Sequence, residues 1–564
     1  MSDLKNLTIS IVAAIIILVG WQYFYEKPKL KEYEKRAQQQ TQNQNQGTSL
    51  TPKLEQSSTF ISREESLRLS EPRIKIEGSK LKGSIALKGL RIDDIILPKY
   101  HEEIDPNSAP VTLLSPSKTA NAYFVEFGWF SEDTTIDWPN AATLWSANKS
   151  TLRPNDNVVL SWQNKQKITF IAEIALDDNY MFTVKQTVKN AAGKTIFFQD
   201  YGLINRLYEQ KNKLAISHEG SVGVFNKILK EVKYDDLKSE GSVAFNNNAA
   251  GSWFGISDKY WLTAIIPDQR ANFDTKFHYS DHLNKSRYQA DYTRTKQILA
   301  PGDTSTNTTH LFVGAKTVSM LDFYGKSLKL DLFDRAIDFG WFYFITKPMF
   351  HALKYFYELV GNFGISILIV TIIVKLILFP LANRSYKSMN KMKKLQPEMA
   401  KIKELHADDK MKQNQAVMDF YRKEKVSPLS GCLPLLIQIP IFFSLYKVLF
   451  ITIEMRHTPF YGWIKDLSAP DPTTVFNLFG LIPWAPPSFL MIGVWPLIMA
   501  LTMFLQQKMS PEPTDPVQAK VMKLLPLFFV FMFASFPAGL VIYWAWSNIL
   551  SIIQQYYIKS KAPA

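Results

Sequence analysis

The apolar stretch at 361–381 (GNFGISILIVTIIVKLILFPL) contains one charge, Lys375. A helix needs about 20 apolar residues to cross the hydrocarbon core of a bilayer, so this stretch is long enough to span one. An ammonium at the centre of such a helix costs at least ~2.5 kcal/mol, and groups of this kind face water, a partner or a substrate path. A chain built around Lys375 is therefore expected to work inside a membrane. The competing reading is a lysine that snorkels to the interface: Lys375 lies ~21 Å along the helix from Gly361, which leaves only ~9 Å to the far surface.

Composition has to be read against that segment. The 564 residues have a mean hydropathy of −0.10, too polar for a protein made only of spanning helices, so the chain is part soluble and part membrane. A net charge of +14 suits nucleic acid or an anionic lipid surface, and the location of the Lys and Arg residues must decide between them. The single cysteine, Cys432, excludes an internal disulfide framework and a multi-cysteine metal site.

Residues 7–25 (LTISIVAAIIILVGWQYFY) are apolar and end in Trp21, Tyr23, Phe24 and Tyr25, the aromatic belt of a lipid–water interface. The run is long for a signal peptide and no small-residue cleavage site follows it, so 1–26 reads as an uncleaved anchor. Residues 27–59, rich in Gln, Asn and Thr, read as a flexible linker that cannot bury enough apolar area to fold. At 60–330 the texture changes to short strands with period two, as in Arg73-Ile74-Lys75-Ile76-Glu77, with turn signals at Asp177-Asp178-Asn179 and Ala192-Gly193. This predicts a large antiparallel β-sandwich. It contains no Gly-rich phosphate loop, HExxH, Cys/His ligand spacing or GxSxG, so no enzyme, metal or cofactor is expected. Asp93-Asp94 and Asp235-Asp236 read as solvated strand ends rather than a hydrolytic pair.

Residues 331–360 mix aromatics with charges at helical spacing and are expected to form an interfacial amphipathic helix, broken in two at Pro348. Spans are expected at 361–382, 430–453, 491–508, 521–535 and 540–558, separated by an external loop at 454–490 and a cytoplasmic loop at 509–520. Lys and Arg crowd 383–428, while the 454–490 loop has only Arg456 and Lys465, so the first is cytoplasmic. Counting spans from there places both termini in the cytoplasm and the β domain outside. The predicted architecture is a polytopic α-helical membrane protein with six spans, five of them in a core, plus an extracytoplasmic antiparallel β-sandwich and a cytoplasmic helical hairpin.

In that hairpin Met389, Met392, Leu395, Met399, Ile402 and Leu405 recur every three or four residues, while Lys393 and Lys394 lie among them on the polar side. Asp408-Asp409 would cap the second helix, and Pro397 predicts a kink or a late start in the first. A solvated face obeying the positive-inside bias explains the charge better than nucleic-acid binding.

At this point a family resemblance emerges. Gly361-Asn362-x-Gly364, Thr371 with Lys375, Leu395-Gln396-Pro397, residues 414–425 (NQAVMDFYRKEK), Val426-Ser427-Pro428-Leu429-x-Gly431-Cys432, residues 435–442 (LLIQIPIF), Gln507-Lys508-Met509-Ser510-Pro511, Phe536-Pro537-Ala538-Gly539-Leu540 and Ser547-Asn548 together resemble the core of the YidC/Oxa/Alb membrane insertases. The anchor, linker and β domain ahead of them resemble the family's Gram-negative form. The resemblance implies an inner-membrane protein that helps newly made membrane proteins enter and fold, alone or with the Sec translocon, with the ribosome and anionic lipids as further partners. It also implies five core helices around a polar groove whose positive charge is an Arg; this chain has Lys375 there, and Trp544 beside Tyr543 where a Tyr is common. The longer external loop with Trp484, Pro486 and Pro487 is a third departure, to which no function attaches.

Physical chemistry gives such a groove a mechanism without catalysis. A hydrated cationic pocket shortens the apolar barrier and attracts acidic client segments, while the client helix slides along apolar walls, where Ile439 and Phe442 are expected, into lipid. Thr371 lies one turn from Lys375, and Gln438, Thr502, Gln506, Tyr543 and Trp544 are expected to line the hollow. Interhelical hydrogen bonding is the competing role for Gln438 and Thr502. A secondary transporter or channel would call for inverted repeats and several mid-span charges, and only Lys447 joins Lys375. A receptor using the β domain would not need five closely spaced spans.

Overall fold

The computed structural model describes residues 59–209, 217–340, 342–424, 433–482, 484, 486–487, 491–509 and 516–560. The expected anchor at 1–26, and all but the last residue of the expected linker at 27–59, lie outside the described residues. The described residues divide into two compact units, one running up to Asp338 and including Ile451–Ile453, the other formed by Phe339–Phe450 and the residues from Glu454 on.

The first unit is β-rich. Ile168–Leu176 buries every second residue, as a strand with one face on a core must. It turns at Asp177, whose carboxylate accepts from the backbone N–H of Asn179 (2.8 Å) and Met181 (3.0 Å), and pairs with Met181–Asn190. Met181–Asn190 in turn pairs with Thr304–Ala315 inside a 9-stranded sheet. Tyr123–Phe130, Ile196–Leu207, Lys285–Arg294 and Phe273–His282 are neighbours in an 11-stranded sheet. The ladders are antiparallel except for the short parallel pair of Arg73–Glu77 with Thr151–Leu152. Rings from the two sheets meet in the core: Phe254 lies 6.0 Å from Tyr292 and 6.4 Å from Phe277, and Trp129 lies 5.4 Å from Phe170. Three short helices decorate the sheets, α1 (Arg63–Leu69), α2 (Tyr234–Glu240) and α3 (Val318–Ser327).

The first acidic pair is not a solvated strand end. Asp93 and Asp94 are buried within the strand Arg91–His101, where they pair with Arg73 and Arg63. Asp235 and Asp236 sit exposed in the first turn of α2, where their charge complements the helix dipole. For Asp93 and Asp94 the reason is physical: two carboxylates in a strand look solvated until the arginines that neutralise them, distant in sequence, are placed.

The second unit is helical. α4 (Tyr343–Val360) runs unbroken through Pro348, which falls in its second turn and removes a single backbone bond; it ends at Gly361 in the left-handed conformation, whose N–H donates to Tyr357 O at 2.8 Å. The rest of the segment expected to be interfacial holds a 3₁₀ turn, Phe333–Ala336, which belongs to the first unit. Asn362 caps α5 (Phe363–Ile377) by accepting from Ile365 N (3.1 Å). The apolar run does not continue straight to 382. The chain bends by 67° at Leu378 into α6 (Phe379–Leu405), with Pro380 in the first turn, where its missing N–H is harmless. α6 passes through Pro397 without interruption, and Asp409 caps α7 (Lys410–Lys423) by accepting from Met411 N and Lys412 N. Then follow α8 (Leu433–Ile451), α9 (Val494–Met509), α10 (Pro516–Phe533) and α11 (Ala538–Ser560). Among the described residues no single helix is long and apolar enough to cross a membrane; the bent pair α5 and α6 meets that test together.

One buried carboxyl makes the β unit sensitive to pH. Burial pushes Asp291 up to about 7, although Gln289 Nε2 donates to it at 2.7 Å, with His278 Nδ1 3.4 Å away. A carboxyl raised in the folded state stabilises the fold below its unfolded value, and that contribution is lost as pH rises through about 7. His278, lowered to about 4 by burial, acts in the opposite sense. Asp291→Asn should therefore stabilise the β unit at pH 8 by roughly 1–3 kcal/mol and do little at pH 4. Thermal unfolding followed by β-sheet circular dichroism at the two pH values checks it, and an equal shift at both would refute it.

Candidate functional site

α5 is apolar except for Ser366, Thr371 and Lys375, the last two on one face. Ser366 and Thr371 satisfy their hydroxyls by donating to carbonyls one turn back, Asn362 O (2.9 Å) and Ile367 O (2.6 Å). One turn beyond Thr371, Lys375 Nζ donates to Ser551 Oγ of α11 at 2.8 Å, and Ser551 Oγ donates to Ser547 O at 2.9 Å. The ammonium is thus half-buried between two helices, and its partner is a hydroxyl rather than a carboxylate.

Beside it lies a small hollow lined by Thr371, Lys375, Gln438 and Tyr543 on the polar side, with Met349 and Leu353 of α4 among its apolar walls. Its volume is about 10 Å³, room for about one water molecule. Gln438 of α8 donates to the hydroxyl of Tyr543 on α11, so this polar pair is also satisfied inside the protein. The structure therefore brings together four of the residues expected to line a groove, with their polar groups bonded to one another or to neighbouring helices.

The remaining candidates lie elsewhere. Thr502 of α9 accepts from Asn548 Nδ2 of α11 at 3.1 Å, a bond between helices away from the hollow. Gln506 is half-buried one turn further along α9 and does not line the hollow. Trp544 belongs to an aromatic cluster: its ring lies 4.8 Å from Phe442 and 5.1 Å from Phe533. Ile439 is exposed on α8. In the hairpin, Met399 is buried, Met392, Leu395 and Ile402 are half-buried, and Lys393 and Lys394 are exposed. A salt bridge of 3.4 Å between Lys391 and Glu424 joins α6 to the end of α7. Among the described residues no group of His, Cys, Asp and Glu is arranged to hold a metal.

Comparisons with known proteins bear on this arrangement. Residues 355–564 match the family model of the 60 kDa inner membrane protein, and residues 73–352 match that of the YidC periplasmic domain. The chain is 52% identical over 558 residues to the membrane protein insertase YidC of Rickettsia massiliae, covering 99% of both chains. It belongs to the YidC family. The YidC of Rickettsia felis is similar to the same degree and extent. A solved structure described as an active YidC insertase with the first transmembrane domain resolved aligns with 86% of this chain and 93% of its own, at 17% identity and a TM-score of 0.36. The β-rich unit of this YidC-family chain thus corresponds to the family's periplasmic domain, and its helical unit to the inner-membrane region.

Reading the sequence missed Ser551 on α11, the partner of Lys375. Ser547, Ser551 and Gln555 recur every four residues, with Asn548 beside them, and all four are buried. That polar stripe in an apolar helix was a usable signal. Met349 and Leu353 gave none, because the aromatics of α4 pointed to lipid headgroups. In this YidC-family chain, Ser551→Ala leaves the Lys375 ammonium without its hydroxyl and should destabilise the helical unit by about 1–3 kcal/mol, whereas Ser551→Thr, which keeps the acceptor, should cost less. Thermal unfolding of the whole chain in detergent ranks the two; equal stabilities would show that the bond contributes nothing.

Proposed function

We propose that this chain is an inner-membrane protein insertase whose clients are newly made membrane proteins, and that it engages them at the Lys375 hollow. The observation that carries this reading is the direction of the ammonium. Its bond to Ser551 turns it toward α11 and the hollow, which supports an inward-facing charge over a snorkelling one. Opposite unit charges 4 Å apart attract by about 1 kcal/mol in water and about 4 kcal/mol near a protein surface, so a half-buried ammonium draws an acidic client segment more strongly than an exposed lysine would. Lys375 supplies charge without the planar fork of arginine, so the attraction is electrostatic rather than bidentate. Burial of the client's apolar helix in lipid then drives insertion.

On this proposal the helical unit supplies five spans and 1–26 a sixth, with both termini and the α6–α7 hairpin in the cytoplasm. The bend at Leu378 carries the first core span into the hairpin, whose lysines obey the positive-inside bias. Thr502, Gln506 and Trp544 are proposed to meet a client only after the helices part, and Ile439 and Phe442 to form its apolar path. The Sec translocon, the ribosome and anionic lipid are proposed partners, the last two through the basic hairpin.

The charge is tested with two clients that differ only in the acidity of their external tails. Lys375→Arg should retain insertion of both, Lys375→Ala should weaken the acidic-tailed client about tenfold more than the neutral one, and Lys375→Glu should be worst. Protease mapping of tail translocation reads the result; equal losses for both clients would remove the charge as a recognition element. In the hairpin, Met392→Glu with Ile402→Glu disrupts an apolar stripe that packs in the structure, and should impair complementation more than neutralising Lys393 and Lys394. The reverse ranking would favour electrostatic docking.

A further inference from the structure

The segment between α8 and α9 has an unusual division of labour. Its first part is tied down by Asp471, which is buried and accepts from Trp463 Nε1 (3.1 Å), Thr473 N (3.0 Å), Thr473 Oγ1 (2.7 Å) and Trp495 N (3.0 Å) at the start of α9. Beyond Asp471 no charged residue occurs from Pro472 to Gln507. Thr474 and Val475 are still docked: Thr474 is buried, and Val475 N donates to Ile492 O at 3.1 Å while its side chain packs on Ile492, Val530 and Ala534.

After Val475 the side chains turn outward. Leu481 is 83% exposed, Leu478 53%, Phe479 52%, Trp484 47% and Phe476 42%. Leu478 and Phe479 have φ of 49° and 59°, a left-handed backbone that large side chains rarely adopt, and here it presents both to the outside. The backbone of the same turn is closed on itself: Phe479 N donates to Thr474 O (2.9 Å), Ile482 N to Asn477 O (3.0 Å), Leu481 N to Leu478 O (3.3 Å) and Trp484 N to Ile482 O (2.8 Å). Exposed apolar side chains on an internally hydrogen-bonded backbone suit an environment without water to satisfy peptide groups. A soluble protein partner would more often meet a polar rim, whereas this turn has no charge and continues into the apolar α9.

We propose that the turn carrying Phe476, Leu478, Phe479, Leu481 and Trp484 is a lipid-dipping wedge whose occupant is the acyl chains of the outer leaflet. The proposal rests on the reading above that α9 spans the membrane with its N-terminal end outside. Trp484 takes the headgroup level, where indole rings concentrate, and the leucines and phenylalanines reach below it. The Asp471 bonds to Thr473 and Trp495 hold the wedge at the mouth of α9, so its depth is fixed relative to the helix.

The test is nitroxide accessibility in the full chain, with Leu481→Cys in a Cys432→Ser background, reconstituted in vesicles of phosphatidylethanolamine and phosphatidylglycerol. Collision with oxygen should exceed collision with a water-soluble nickel chelate several-fold at residue 481. Nickel-dominated collision would mean a solvated loop, and low collision with both would mean a protein-covered surface; either overturns the proposal. A label at Leu501, exposed on α9, separates the two readings. Oxygen-dominated collision at 501 with nickel at 481 sinks the wedge alone, whereas nickel at both sinks the spanning reading and the wedge with it. Should the Leu481 variant not fold, Trp484→Cys serves as the second site, with oxygen and nickel collision balanced at headgroup depth and nickel-dominated collision overturning the proposal.

Discussion

An ammonium inside an apolar helix must be given a partner, and much of the helical unit is arranged around that requirement. An unpaired ammonium at such a position costs at least ~2.5 kcal/mol, and a carboxylate partner would neutralise its charge. The solution here is Ser551, a hydroxyl that accepts from Lys375 and donates its own hydrogen bond to Ser547 O. That chain requires α11 to run beside α5 with its polar stripe facing inward. Trp546 Nε1, donating to Leu368 O at 3.2 Å, ties the same two helices further along α5, and the Gln438–Tyr543 bond ties α8 to α11.

The closing of the helical unit at one end depends on small residues as much as on bonds. A Cβ on Gly364 would lie 2.0 Å from Phe460 Cδ2, so only glycine lets that ring seat on the first turn of α5. Gly361 in the left-handed conformation stops α4 one residue before the Asn362 cap starts α5. Two helices with different orientations therefore follow one another without a loop.

Much of this was legible in the sequence, and what was not has a common cause. Period two in Ile168–Leu176 and the Asp177 turn predicted paired strands because both are local signals. The inward polar residues Thr371, Lys375, Gln438 and Tyr543 were legible because polar groups in an apolar helix are conspicuous, and they line one hollow. The bend at Leu378 was not, although Pro380 was in view, because apolarity alone cannot tell a straight helix from a bent one. Pro348 misled in the opposite direction: it removes one backbone bond in the second turn, and the helix continues through it. Asp93 and Asp94 misled because their arginines, Arg63 and Arg73, come from separate elements. Long-range pairing is what a periodicity cannot carry.

The size of the hollow has a consequence for speed. With room for about one water, it cannot admit a polypeptide segment unless α4, α5, α8 and α11 separate, and the Lys375–Ser551 and Gln438–Tyr543 bonds must open as they do. Each bond broken is replaced by one to the guest, so the exchange is close to neutral. A host that already satisfies itself holds a guest only briefly, because its own side chains compete for every contact. On the proposed reading, the same internal bonds that keep the resting protein shut would return it to that state, ready for the next chain, with no fuel spent on ejection.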